Sequence, residues 1–264
     1  MSIFRRELQA NAKSLAIWSV IIALFIAIAA SKFAAYDGNP DMLKVLDAMP
    51  AAVLDAFSMR AFNLTTLNGF YGIMSLYFSL MGAIAAAMWG SDIISKEERD
   101  RTVEFSLVLP VSRNQVITAK ALAALVNSIA LVLITWGASI VAVQRYTPDA
   151  AFYDLLALEM QAMLVIELIF LAIGLLLGCA MKRYKRSGST AISIILAAYF
   201  ASILSGMHEK LEFLKYLTPF KYFDAGDLSR SGSLGATYLL LSAAIVVVSL
   251  SAAYWTYNRR DLYI

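Results

Sequence analysis

Apolar residues along this chain gather into six long runs, at 15–33, 70–90, 121–143, 158–181, 189–206 and 236–257, with charged and proline-containing stretches between them. A helix needs about 18 or more such residues to cross a ~30 Å hydrocarbon layer. Each run meets that length. The pattern predicts an all-α membrane protein with six transmembrane helices, forming one domain over residues 1–264. The fifth run is the shortest and is rich in Ser and Ala.

Composition agrees. With 60% hydrophobic and 16% charged residues and a mean hydropathy of +0.69, the chain carries more apolar surface than one soluble core can hide. Lys and Arg resist translocation when they lie in short loops beside spans, and an even number of spans puts both termini on one side. That side would hold Arg5, Arg6 and Lys13, then Lys96, Arg99, Arg101, Arg113 and Lys120, then Lys182, Arg183, Lys185 and Arg186, and finally Arg259 and Arg260, most of the 22 basic residues. The termini are therefore expected in the cytoplasm. No small-residue cleavage site follows the first apolar run, so that run reads as a retained span.

Candidate chemistry is sparse. Cys179, the single cysteine, rules out a disulfide framework within the chain, and the lone His208 rules out a His-rich metal site or an HExxH protease. There is no GxxxxGK[ST] loop to cradle a nucleotide phosphate and no GxSxG elbow. The chain is expected to have no catalytic site, no metal and no cofactor of its own.

The densest polar stretch, "ISKEERDRTVEFSLVLPVSRNQVITAK", joins the second and third runs. Ser95 with Glu98, and Ser112 with Gln115, have the S-x-x-E/Q spacing of a capping box, in which side chains satisfy the orphan amides of a helix start. A short helix from Lys96 is predicted, charged through Glu97, Glu98, Arg99 and Arg101, apolar at Val103, Phe105 and Leu107, and ended by Pro110. A second helix starts after Ser112. Such a segment either rests on lipid headgroups or docks a protein. Its acidic residues, Glu97, Glu98, Asp100 and Glu104, favour a partner that presents charges of both signs over an anionic lipid surface.

Residues 97–120 of this stretch resemble the signature loop between the second and third spans of ABC-2 type transporter permeases. Thr102, Glu104, Leu107, Pro110, Val111, Ser112, Arg113 and Lys120 match it in order, with Arg101 where the family usually has glycine. A second stretch, "LKYLTPFKYFDAGDL", resembles the family's external segment between the fifth and sixth spans. The resemblance implies a bacterial plasma-membrane exporter built from this subunit, a second copy or a related permease, membrane lipid, and two copies of a separate ATPase that carries ATP and Mg; nucleic acid has no part in it. In that family the loop is a cytoplasmic coupling helix. Lys96, Glu97, Glu98, Arg99, Arg101, Thr102 and Glu104 would then meet the ATPase, with Pro110, Ser112 and Arg113 turning the chain into the third span. Arg5 and Arg6, with Phe4 and Leu8, resemble the family's interfacial elbow helix, and a plain basic anchor fits them equally well. Substrates compatible with the family include antimicrobial peptides, drugs, lipids and ions.

Outside the membrane, Asp41 is positioned to cap a helix whose apolar residues recur at three-to-four spacing until Pro50. Leu217, Pro219 and Phe220 would belong to a re-entrant element bordering the exit path, which needs protein or water around its backbone. Small residues recur at every fourth position in the fifth run (Ser189, Ser193, Ala197, Ala201, Ser205), the fourth (Gly174, Gly178) and the second (Gly82, Ala86, Gly90), where helices can pack closely. Glu167 is the one acid well inside a run, with Glu159 nearer its outer end. An ionised, unpaired carboxylate there costs at least ~2.5 kcal/mol. It is either a wall of a translocation path, with Asn127, or a helix contact to Asn127 or a serine. Two other classes therefore stand beside the exporter subunit: a secondary transporter or channel using Glu167, and an intramembrane enzyme.

Overall fold

In the computed structural model, the described residues are 3–56, 59, 63–99, 112–181 and 184–259. Among them all regular structure is helical. Six helices are long and apolar enough to cross a membrane. These are α1 (Ile3–Phe33), α4 (Leu67–Arg99), α5 (Arg113–Val143), α6 (Ala150–Ala180), α7 (Tyr184–Met207) and α10 (Ala236–Arg259). Between α1 and α4 lie the short α2 (Pro40–Asp47) and α3 (Ala51–Ala56). Between α7 and α10 come a 3-10 segment (Glu209–Tyr216), α8 (Pro219–Tyr222) and α9 (Ala225–Ser231).

The six spans lie where hydropathy places them, and most helices run beyond their apolar runs. At 1.5 Å per residue the 33-residue α4 is about 50 Å long, far more than the bilayer core requires. It continues unbroken through Ser95 to Arg99. Ser95 is thus interior to a helix, and the predicted new helix start at Lys96 is not found. Between Trp89 and Arg99 there is no proline, and the one glycine, Gly90, costs only about 1 kcal/mol. The N-terminal segment likewise belongs to a single 31-residue helix, so no separate elbow helix precedes the first span. At α2 the cap is Asn39, whose side chain accepts from the Asp41 amide at 3.0 Å, with Pro40 opening the helix. Asp41 itself sits in the first turn.

α6 is the centre of the bundle. In its most apolar stretch 67% of residues are buried, against 17% for α1 and α10. It packs most extensively on α4, then on α10, α5 and α7, while α1 is held mainly by α5. Glycines set the α4–α6 distance. A side chain on Gly174 would collide with the Ala87 backbone, and one on Gly178 would come within 2.7 Å of the Ser91 carbonyl oxygen. The GxxxG pattern therefore joins two helices of one chain. The stripe on α7 divides along its length: Ser189, Ser193 and Ala197 are exposed, Ala201 is partly exposed and Ser205 is buried.

Candidate functional site

The end of the bundle that carries both termini is knit together by polar contacts. Ser112 caps α5 with a complete capping box: its hydroxyl accepts from the Gln115 amide, and the Gln115 side chain accepts from the Ser112 amide at 2.9 Å. The next residue, Arg113, reaches across to the last turn of α10 and donates to the carbonyls of Tyr257 and Asn258, each at 3.3 Å. Asn258 donates to Asn114 at 2.7 Å, and the Thr118 and Tyr254 hydroxyls share a hydrogen bond at 2.6 Å. The start of α5 is therefore tied to the end of α10.

A second tie joins α5 to α1. Lys120 is completely buried, and its Nζ lies 3.4 Å from Oε1 of Glu7, itself 5% exposed. Trp89 on α4 donates to Ser14 on α1 at 3.0 Å. Glu7 went unnoticed in the sequence, although it sits close before the first apolar run as Lys120 sits immediately before the third. Two opposite charges at matching ends of two spans were the available signal.

Of the coupling residues expected from the sequence, Ser112 and Arg113 are brought together with α10 as described. Lys96, Glu97, Glu98 and Arg99 lie on the final turns of α4, with side chains outside the described residues. Arg101, Thr102, Glu104 and Pro110 fall outside the described residues altogether.

Deeper in the bundle, α6 presents two buried acids, not one. Asp149 caps its start by accepting from the Phe152 amide at 2.9 Å, so the helix begins at Ala150 and Glu159 lies more than two turns inside. Glu159 is 3% exposed and Glu167 0%. Ser75 and Tyr71 of α4 lie beside Glu159, and Tyr71 donates a short hydrogen bond to Ser139 of α5. Glu167 sits where α4 carries Gly82, so near that an added Cβ there would strike its carboxylate, and Ser128 of α5 lies on its other side. None of the four carboxylate oxygens has an aligned hydrogen bond among the described residues, nor does the Asn127 amide nitrogen, in a residue 2% exposed. Glu167 and Asn127 are both enclosed. No group of three or more His, Cys, Asp or Glu that could hold a metal occurs among the described residues.

At the far end, Leu217, Pro219 and Phe220 part company. Leu217 is 68% exposed, whereas Phe220 is buried, stacked on Phe170 of α6 at 5.4 Å and edge-on to Tyr199 of α7. Pro219 is buried and opens α8, the position where a missing amide costs nothing. Thr218 donates to the Ala198 carbonyl at 2.7 Å, fastening the segment to α7. On the exposed 3-10 segment before it, the hydrogen bond from Lys215 holds the Glu212 carboxyl below its ordinary range.

A six-span helical bundle, with its termini tied together at one end and short helices packed on the other, defines a multi-pass membrane protein. Comparison with protein families assigns residues 1–262 to the family described as ABC-2 family transporter protein, and the chain belongs to that family. It is thus a membrane permease component of an ABC transporter, and the resemblance drawn from the loop after the second span holds over the whole chain. A search of curated proteins found no significant match.

Proposed function

We propose that this chain is the membrane-spanning subunit of an ATP-driven exporter, pairing with a second permease and with two copies of a separate ATPase that binds ATP and Mg. The absence of a phosphate-cradling loop in its sequence supports an ATPase on another polypeptide. One observation supports a coupling role for the segment between the second and third spans. The helices on either side of residues 100–111 are packed into the bundle, α4 against α6 as far as Ser91, and the start of α5 through the Ser112 capping box and the hold of Arg113 on α10. A push on the segment between them therefore has packed helices to act on. In this reading Glu98 meets the ATPase and Glu104 fixes the loop to the permease, with the exported substrate a peptide, drug, lipid or ion. The termini lie in the cytoplasm of a bacterium, and Leu217, Pro219 and Phe220 border the exit.

The secondary-transporter reading gains no support from Glu167, which is packed against Gly82 and closed off with Asn127. The test is to copurify the ATPase with the wild-type permease and with Glu98→Lys and Glu104→Gln, measuring hydrolysis and transport. Glu98→Lys should weaken docking in a salt-sensitive way, and Glu104→Gln should keep assembly but lower transport per ATP. If no ATPase copurifies, or if both variants behave as wild type in all three measurements, the proposal fails.

A further inference from the structure

Above the polar tie that joins α5 to α10, those two helices diverge over the surface of α6. The gap between them is an apolar crevice of about 210 Å³. Its floor is Leu168, Leu171 and Leu175 of α6, and its walls include Ala121 and Leu125 of α5 and Leu250 of α10. Leu122 and Val247 on the flanking helices are 48% and 61% exposed, so the crevice opens sideways, toward the bilayer. An engineered apolar cavity of ~150 Å³ already takes up benzene. A larger crevice open to hydrocarbon has lipid chains as its solvent.

The rim at the terminal end adds a chemical preference. The Thr118 and Tyr254 hydroxyls close that end of the crevice. Five residues beyond them on each helix stand Arg113 and Arg259, about 7.5 Å further along each axis. Arg259 is exposed and lies over the Trp255 ring at 4.4 Å, and Trp255 is 57% exposed. Exposed tryptophan with arginine at a span end marks headgroup depth. Apolar walls, then hydroxyls, then guanidinium charge follow the order of groups met along a phospholipid from its chain to its phosphate.

We propose that this crevice binds one acyl chain of an anionic phospholipid from the leaflet on the side of the termini, with the phosphate held near Arg259. The bound chain fills the space between α5 and α10 and so stabilises the junction that carries Arg113. The test uses the full chain in nanodiscs containing a phosphatidylglycerol with a photoactivatable group in mid-chain, against the same probe with a phosphatidylcholine headgroup. Crosslinks should concentrate on 121–125 and 246–254 and fall at least tenfold in Ala121→Phe, which fills the crevice from a partly buried position in its wall. Arg259→Gln should reduce capture of the phosphatidylglycerol probe several-fold and that of the phosphatidylcholine probe, whose phosphate charge is offset by its own choline, much less. A monodisperse size-exclusion peak for each variant establishes that the fold is retained. Crosslinks spread evenly over the exposed faces of α1 and α10, or undiminished in a folded Ala121→Phe, would overturn the site. Equal capture of both headgroups would overturn the preference for anionic lipid.

Discussion

Replacing Lys120 by methionine removes the only cation within 4.0 Å of Glu7 that is itself buried, among the described residues. Breaking a buried pair by removing one partner typically costs about 3–5 kcal/mol, because the other charge is left in an apolar site. Here Arg6 lies 4.0 Å from the same carboxylate oxygen, but its side chain is 49% exposed, so solvent screens most of what it could restore. The expected loss is therefore near the lower end, about 3 kcal/mol. At roughly 2–4 °C per kcal/mol, this corresponds to a fall of about 6–12 °C in the thermal midpoint of the detergent-solubilised protein. Glu7→Gln takes the carboxylate away from the buried Lys120 ammonium and should also lower the midpoint. The double variant Glu7→Leu, Lys120→Met removes both charges of the pair and should fall by clearly less than the sum of the two single shifts. A double variant that falls by the sum of the two single shifts would refute the pairing. So would a Lys120→Met midpoint within about 2 °C of wild type.

Close packing at glycine makes a paired prediction: Gly174→Ala should lose about 1–3 kcal/mol by overpacking against Ala87, whereas Gly137→Ala, with nothing within 4 Å, should be neutral or gain up to about 1 kcal/mol in thermal unfolding. In a Cys179→Ala background, Asp37→Cys and Ser231→Cys should react with an impermeant thiol reagent outside intact cells and Gly188→Cys should not; labelling of Gly188→Cys would overturn the six-span topology. Glu167→Gln keeps the size and hydrogen-bonding capacity of the side chain and should retain folded yield. Glu167→Lys puts a long ammonium group against Gly82 and should lose most of it, as read by the monodisperse fraction in size-exclusion chromatography.

Spans were legible from the chain because hydrocarbon thickness imposes a minimum apolar length, and nothing about neighbouring helices changes that requirement. Capping at Ser112 was legible for a related reason: four residues carry both halves of the motif. The same spacing at Ser95 misled, because a capping box describes how a helix starts and cannot say whether the preceding helix has stopped. Glu159 was misplaced when hydropathy alone set the start of the fourth span. Pro148–Asp149, a turn and cap signal, marks that start eight residues earlier than the apolar run. Hardest to see was the Glu7–Lys120 pair, 113 positions apart, since a tertiary contact between two spans leaves no periodic trace in either. The small-residue stripes were visible, but which of them faces a neighbour within the chain depends on the helix arrangement.

Because α4 has no break between Gly82 and Arg99, its outer turns and its buried middle form one stiff rod. The 17 residues separating them span about 25 Å. Tilting that rod by about 10° around the Gly82 level would carry its charged tip some 4 Å sideways, by simple leverage over that helical length. Conversely, the glycine-lined seam with α6 is too tight to absorb such a tilt by sliding one helix over the other. Any displacement imposed at the tip turns α4 and α6 as a single body, and α1, which of the other spans touches that body least and is held mainly by α5, is the looser joint of the bundle.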